Sequence, residues 1–208
     1  MDYRGLTPSK RASGFSTGSA AIATTIVRCG LNIGHGPLTH TRGIPRELEN
    51  KKIILRPIRP EDAELEQAFI HELSSQAKYY RFMGTINELS TTMLIRFTQI
   101  DYDKEMAFVA SYRDERNEKI IGIARYIINP DGETAEFAIV IVDSWQNKGV
   151  GSKLLAALIS VAKDKSIKSI EGVVLTDNTG MLELAKYHGF VISNNDDPTV
   201  KLIKKAIE

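Results

Sequence analysis

Hydrophobic and polar residues follow two different periods along the chain. Between residues 60 and 98 apolar positions recur every three to four residues, which predicts three helices that begin near residues 60, 75 and 90. From residue 106 the period becomes two, which predicts strands at 106–112, 120–128 and 134–142. Turn sequences separate these three strands, so we expect them to be antiparallel neighbours.

The same patterns predict the elements on either side of these segments. A strand at 53–58 comes first. After the three strands come a helix at 150–164, a strand at 169–175, a helix at 179–187 and short strands near 190–193 and 199–203. This order predicts an α/β fold in which helices flank a mixed, mostly antiparallel central sheet.

The first 46 residues differ in composition from the rest. They carry six basic residues and one acidic residue, are rich in Gly, Ser and Thr, and hold little apolar side chain to bury. We therefore predict a disordered N-terminal extension over residues 1–50 and one folded domain over residues 51–208. A Ser- and Arg-rich, acid-poor segment also suits an organelle transit peptide.

Overall composition narrows the functional classes. The formal net charge is +1, which gives no reason to expect a nucleic-acid partner. The single cysteine, Cys29, cannot form an intramolecular disulfide, and we expect a cytoplasmic protein. No apolar run reaches the length of a membrane span, so no membrane association is expected. The four histidines lack the spacing of a metal site, so we expect no metal.

The segment Gln146-Asn147-Lys148-Gly149-Val150-Gly151 joins an apolar strand to an amphipathic helix. Glycines at a helix start leave the free backbone N–H groups open to an anion, and the helix dipole and Lys148 add positive potential. The sequence therefore predicts a phosphate or diphosphate site, although a tight turn with packing glycines is the simpler alternative. The pattern matches neither a P-loop nor the dinucleotide-binding fingerprint.

The spacing Gln-x-x-Gly-x-Gly resembles the acyl-CoA loop of the GNAT acetyltransferase superfamily, and the order of elements around it is similar as well. Segments at 178–182 and 187–190 resemble the last GNAT motif, and segments at 55–62, 80–82, 88–90, 99–107 and 135–138 resemble the GNAT domain of Pat-type protein lysine acetyltransferases. The resemblance covers residues 53–203. It implies a three-layer GNAT-like fold.

The resemblance also implies an activity, namely that of an N-acetyltransferase that moves the acetyl group of acetyl-CoA to an amine. A protein lysine side chain is the expected acceptor, and an acyl-CoA synthetase is a candidate partner. A small-molecule amine acceptor and a non-catalytic acetyl-CoA-sensing domain are the alternatives. The oligomeric state does not follow from the sequence.

By the same resemblance, a defined set of residues binds acetyl-CoA. The diphosphate would lie on residues 146–151, the pantetheine arm along residues 139–142, and Asn178 would face the pantetheine or the thiol. The full set is Ile139, Val140, Ile141, Val142, Gln146, Asn147, Lys148, Gly149, Val150, Gly151, Ser152 and Asn178.

Glu136 is the candidate catalytic base, because the resemblance places the catalytic glutamate of the Pat-type enzymes there. It stands in an otherwise apolar strand, so we expect it to be buried on both faces. The hairpin register is open. A four-residue turn pairs Glu136 with Arg125, an ion pair that would weaken the base, whereas a three-residue turn with a bulge pairs it with Tyr126.

The chain departs from the GNAT pattern at the general acid. Many GNAT enzymes place a tyrosine seven residues after the motif asparagine, but that position is Ala185 here. Tyr187 lies about 200° further round the helix, and we predict a packing role for it. Because Cys29 is far in sequence from the loop, we expect direct attack in a ternary complex rather than an acyl-enzyme.

Overall fold

The part of the chain that the structure describes forms eight strands and five helices. The structure is a computed structural model, and it describes residues 44–48, 51–114 and 117–207. The strands are β1 (Ile44–Leu48), β2 (Lys51–Pro57), β3 (Glu105–Asp114), β4 (Asn117–Ile128), β5 (Thr134–Ile141), β6 (Ser169–Leu175), β7 (Val191–Asn194) and β8 (Val200–Ala206). The helices are α1 (Ala63–Glu72), α2 (Ser75–Phe82), α3 (Thr91–Thr98), α4 (Val150–Asp164) and α5 (Thr179–Tyr187).

All eight strands belong to one sheet, in the order β1-β2-β3-β4-β5-β6-β8-β7. Every neighbouring pair is antiparallel except β5 and β6, which are parallel. The predicted mixed, mostly antiparallel sheet flanked by helices is therefore confirmed. β1 was not predicted, and it lies within the segment that we assigned to the N-terminal extension. Residues 1–43 and 49–50 lie outside the described residues, so the predicted domain boundary stays a prediction.

Helices cover both faces of the sheet at its centre. On one face, Gly122 of β4 lies against α4, since a Cβ atom there would stand 2.5 Å from Ile141 Cδ1 and 3.1 Å from Leu154 Cδ1. On the other face, Arg125 of β4 reaches Glu66 of α1. Because successive strand residues point to opposite faces, positions 122 and 125 require helices on both sides.

Serine caps fix where two of the helices begin. The Ser90 hydroxyl accepts a hydrogen bond from the Met93 amide at 3.2 Å, and the Ser74 hydroxyl accepts one from the Ala77 amide at 3.1 Å. Each bond satisfies an amide that has no partner inside its helix, which contributes about 1 kcal/mol. The cap at Ser90 agrees with the helix start that the sequence predicts near residue 90.

The register of the β4–β5 hairpin differs from both predicted alternatives. Glu136 lies opposite Ile127, not opposite Arg125 or Tyr126. The reason is local, because the Asp131 carboxylate accepts hydrogen bonds from the amides of Glu133 and Thr134 and thereby places the turn one residue later than expected. Arg125 and Glu136 consequently do not face each other across the hairpin.

Candidate active site

A groove opens where β5 and β6 separate. The parallel pairing of these strands covers only three positions and ends at Glu136 and Glu171. Beyond that point the β6-facing edge of β5 has no strand partner among the described residues. The groove has a volume of about 1150 Å³. Its walls come from β5, the loop that follows it, the start of α4, β6, α5 and α2.

The loop between β5 and α4 presents free backbone amides to this groove. Gly149 is the N-cap residue of α4, and no side chain caps the helix. The amides of the first turn, at positions 150–152, therefore have no helical acceptor, and no acidic residue lies in that turn. Together with the helix dipole, these amides form a site that favours an anion.

The two glycines of the loop serve different purposes. Gly149 has φ +78°, a left-handed conformation that a side chain disfavours, and a Cβ atom there would meet only open space. At Gly151, a Cβ atom would stand 3.4 Å from Leu184 Cδ2, so this glycine allows α5 to pack closely on α4. Upstream, the Gln146 side-chain amide donates to the Ile141 carbonyl at 3.1 Å and ties the loop to the end of β5.

Most of the predicted acetyl-CoA residues line the groove, but three do not. Val142 and Val150 are 6% and 1% exposed and belong to the hydrophobic core. The Lys148 ammonium lies 5.3 Å from the ring centroid of Trp145. The residues that do line the groove are Ile139, Val140, Ile141, Gln146, Asn147, Gly149, Gly151, Ser152 and Asn178.

Glu136 lines the same groove, at the point where β5 and β6 part. We expected it to be buried on both faces, but the structure shows it exposed. The expectation was wrong because the apolar residues that follow Glu136 on β5 line the groove. Ile127, opposite Glu136 on β4, is 41% exposed. A carboxylate in this position is accessible to an incoming amine.

Sequence reasoning missed the charged cluster behind Glu136. Arg125 donates to Glu66 at 3.0 Å, and both side chains are buried. The other Glu66 carboxylate oxygen has no hydrogen-bond partner. Half-buried Arg81 of α2 lines the groove near this pair, and burial, followed by repulsion from Arg125, lowers the pKa of Arg81 to about 10. The only sequence signal for Arg81 was its place in a segment similar to Pat-type enzymes.

Hydrogen bonds connect helix α2 to both walls of the groove. At its start, the amide and hydroxyl of Ser74 donate to the Asp143 carboxylate at 3.0 and 2.7 Å. Burial alone raises the pKa of Asp143, but the bonds from Ser74 outweigh it and hold the pKa below its usual value. Towards its end, the Tyr80 hydroxyl donates to the Asp177 carbonyl at 3.3 Å. The helix therefore bridges the β5–α4 loop and the β6–α5 loop.

The start and the end of α5 place three residues that the sequence singled out. The Asn178 side-chain oxygen accepts a hydrogen bond from the Met181 amide at 3.1 Å and caps the helix. Ala185 is fully buried. Tyr187 was predicted to have a packing role, which is wrong, because it is 80% exposed. It lies at the last position of the helix.

Comparison with known proteins identifies the family of this chain. Residues 68–190 match the model of the Acetyltransferase (GNAT) family. The chain belongs to the GNAT acetyltransferase family. It is accordingly an acetyl-CoA-dependent N-acetyltransferase.

Individual relatives support the same conclusion. This GNAT enzyme is 32% identical over 157 residues to Acetyltransferase PA5475 of Pseudomonas aeruginosa, covering 76% of the chain and 84% of the relative. It is 29% identical to Acetyltransferase Pat of Mycolicibacterium smegmatis over 68% of the chain, but it spans only 42% of the length of that protein. The crystal structure of the GNAT domain of S. lividans PAT superposes with a TM-score of 0.70 at 25% identity, covering 83% of this chain and 99% of that domain.

The described residues contain neither a membrane-spanning helix nor a cluster of metal-ligating side chains. None of the helices has both the length and the apolar character needed to cross a membrane. Nor do three or more metal-ligating side chains come together anywhere in residues 51–114 and 117–207.

Proposed function

We propose that this GNAT enzyme transfers the acetyl group of acetyl-CoA to a protein lysine side chain, by direct attack in a ternary complex. Lysine has an ordinary pKa near 10.4, so at neutral pH a base must accept the proton before or during attack. The ammonium group first loses one proton to solvent, and as the N–C bond of the neutral amine forms and the C–S bond breaks, its second proton passes to Glu136, directly or through water. The CoA thiolate leaves without a tyrosine acid, since alanine occupies position 185.

One observation carries the proposal. Glu136 and the free amides of the β5–α4 loop line a single groove and are joined by the unpaired edge of β5. From Glu136 to Ile141 the strand extends over five residue steps, or roughly 17 Å. A diphosphate on the loop amides and an extended arm along this edge bring the thioester to Glu136. In this pose Asn178 flanks the arm from α5.

The surroundings of Glu136 favour a long cationic acceptor. Glu171 is its direct neighbour on β6, so two carboxylates stand side by side on one face of the sheet. Lys204 pairs with Glu171 at 3.0 Å, which leaves Glu136 to attract the incoming ammonium group. Because this face is open at Ile127 and Val191, which are 41% and 72% exposed, a lysine on the surface of another protein can reach it.

The experiment that tests this function is acetyl transfer to a lysate proteome, read by mass spectrometry of acetylated lysines. Wild-type enzyme with acetyl-CoA should acetylate lysines, and a purified acyl-CoA synthetase is the first individual acceptor to include. Glu136→Gln should lower kcat by roughly 10²–10⁴-fold, because the amine then keeps its proton. Binding of CoA, measured by calorimetry, should persist in this variant.

Glu133→Gln is the matched control. Glu133 precedes Glu136 by three residues, lies outside the groove and pairs with Lys168 at 2.6 Å on the surface, so its loss should leave kcat unchanged. If wild type consumes acetyl-CoA only with small amines, the acceptor assignment is wrong and the small-molecule alternative holds. If Glu136→Gln retains full activity, the role of Glu136 as the base is wrong.

A further inference from the structure

Tyr187 is an aromatic side chain that the proposed chemistry does not use. It is 80% exposed, and it lines the groove together with Gly149, Gly151 and Ser152 of the diphosphate loop. Its ring meets the ring of His188 edge-on, with centroids 5.2 Å apart. Because the Tyr187 ring is exposed to solvent at the border of the groove, it has no packing function within the chain.

The position of Tyr187 along the groove follows from the packing of α5 on α4. The helix begins at Asn178, on the side where the thioester is proposed to lie, and it reaches the diphosphate loop at its other end. There the Ser152 hydroxyl and the His188 Nε2 are 2.8 Å apart. From Asn178 to Tyr187 the helix rises about 14 Å. Tyr187 therefore stands at the end of the groove that is distant from Glu136.

Coenzyme A has a fixed chemical order, in which the diphosphate separates the pantetheine arm from the 3′-phosphorylated adenosine. If the arm runs from the loop amides towards Glu136, the adenosine must leave the loop in the opposite direction, which is towards Tyr187. We infer that the Tyr187 ring stacks on the adenine of acetyl-CoA. The inference rests on the proposed position of acetyl-CoA in the groove and adds the contact that holds its nucleotide end.

His188 gives the tyrosine ring a fixed orientation. Its imidazole lies at 81° to the Tyr187 ring and is itself anchored through Ser152 to the first turn of α4. This contact restricts the Tyr187 ring before a ligand binds, which favours affinity. Base–aromatic stacking is substantial and does not require a hydrogen bond from the tyrosine hydroxyl.

The general-acid role that a tyrosine of this helix has in other GNAT enzymes does not fit Tyr187. The corresponding position, Ala185, is fully buried, and Tyr187 points about 200° away from it around the helix. It also stands beside the diphosphate loop rather than beside Glu136. A contact with the nucleotide is the role that its position allows.

The test compares two acetyl donors that differ only in the nucleotide end, acetyl-CoA and acetyl-4′-phosphopantetheine. Tyr187→Ala should raise KM for acetyl-CoA by roughly tenfold or more, since truncating a stacked aromatic removes most of the contact. The same variant should leave KM for acetyl-4′-phosphopantetheine unchanged. Tyr187→Phe keeps the ring and should retain the wild-type KM for both donors.

Tyr79→Ala is the matched control, because Tyr79 is a tyrosine that is 47% exposed and does not line the groove. It should change neither KM. Three outcomes overturn the inference: an equal rise of both KM values in Tyr187→Ala, which indicates a structural role, no rise with acetyl-CoA, or a Phe variant as impaired as the Ala variant.

Failure of this inference can be told apart from failure of the proposed function. If wild type transfers acetyl groups from both donors with the same KM, the nucleotide contact is absent while the acetyltransferase proposal stands. If wild type acetylates no protein lysine, the acceptor proposal fails, and calorimetry with CoA still reports whether Tyr187→Ala weakens binding. An unchanged dissociation constant in that measurement overturns the stacking contact by itself.

Discussion

The positive charge of Arg81 destabilises the folded state. Its pKa, lowered to about 10 by burial and then by Arg125, lies below the ordinary arginine value, although Glu66 and Glu136 counter the shift. A basic group whose pKa falls on folding destabilises the folded state while it is charged. This cost is present at every pH below about 10 and is relieved only as the pH rises above that value. Such a cost is typical of a functional position.

Arg81→Gln should therefore change stability and activity in opposite directions. At pH 7 the variant loses a desolvated charge, so its Tm should rise by a few degrees. Its kcat/KM should fall by about tenfold, because Arg81 and Glu136 line the same groove and the carboxylate is held less firmly in place without its neighbouring cation. Calorimetry and initial rates measure the two effects, with exposed Arg113→Gln as the control that should alter neither. A lower Tm with an unchanged rate would contradict this account.

Sequence reasoning reaches some residues of the site and not others. The spacing of Gln146, Gly149 and Gly151 at a strand–helix junction indicates a binding loop. The structure places all three residues in the groove. Arg81 gives no comparable signal, because its importance comes from burial near Glu66 and Arg125, which are distant in the sequence. The exposure of Glu136 was missed for the same reason, since it depends on how far β5 and β6 stay paired.

At the scale of elements, α2 acts as a bridge across the groove. Its N-terminal cap, Ser74, serves two purposes, because the hydroxyl accepts from the Ala77 amide and donates to Asp143 of the β5–α4 loop. Its last turn reaches the β6–α5 loop through Tyr80 and Asp177. The groove therefore depends on two polar contacts that join segments roughly 70 and 97 residues apart in the chain.

Replacing Asp143 with asparagine should loosen this bridge in a pH-dependent way. Because the pKa of Asp143 is lowered on folding, the ionised carboxylate stabilises the protein above the ordinary aspartate pKa near 4, and this stabilisation is lost as the pH falls through the lowered value. Asp143→Asn should lower Tm by a few degrees at pH 7. The difference from wild type should shrink below about pH 4.

Thermal unfolding followed between pH 3 and pH 8 measures this effect. Asp196→Asn, in an exposed loop outside the groove, is the control and should match wild type at each pH. A constant Tm difference between Asp143→Asn and wild type across the whole range would show that the charge of Asp143 contributes nothing. The variant should also raise KM for acetyl-CoA, because the loop that carries Gly149 is less firmly held.

The β4–β5 hairpin shows where element-level prediction stops. The turn residues Asn129, Asp131 and Gly132 correctly indicated a hairpin, but they were compatible with more than one register. The register is fixed by the Asp131 carboxylate, which takes two backbone amides, and by the pairing of Asn129 with Thr134. Residue spacing does not show which side-chain contacts form within the turn, so it did not indicate the register that the hairpin adopts.

At the scale of the whole molecule, alternation of period located seven of the eight strands and all five helices. The missing strand, β1, has the sequence Ile-Pro-Arg-Glu-Leu, which is short, contains a proline and carries two charges. The intrinsic strand propensity of these residues therefore does not indicate a strand there. It forms because β2 offers an edge with unpaired backbone groups, which is a property of the assembled sheet.

Two truncated chains would establish where the folded domain begins. β1 pairs with β2 at five positions, from Ile44 opposite Leu55 to Leu48 opposite Lys51, and so covers the edge of β2. A chain of residues 44–208 keeps this cover and should retain the wild-type Tm and kcat. A chain of residues 51–208 exposes the edge of β2, so it should unfold at a lower temperature and associate as its concentration rises. Calorimetry and light scattering measure both properties. Loss of activity in the longer chain would instead assign residues 1–43 a part in function, and an unchanged Tm in the shorter one would show that the domain begins at Lys51.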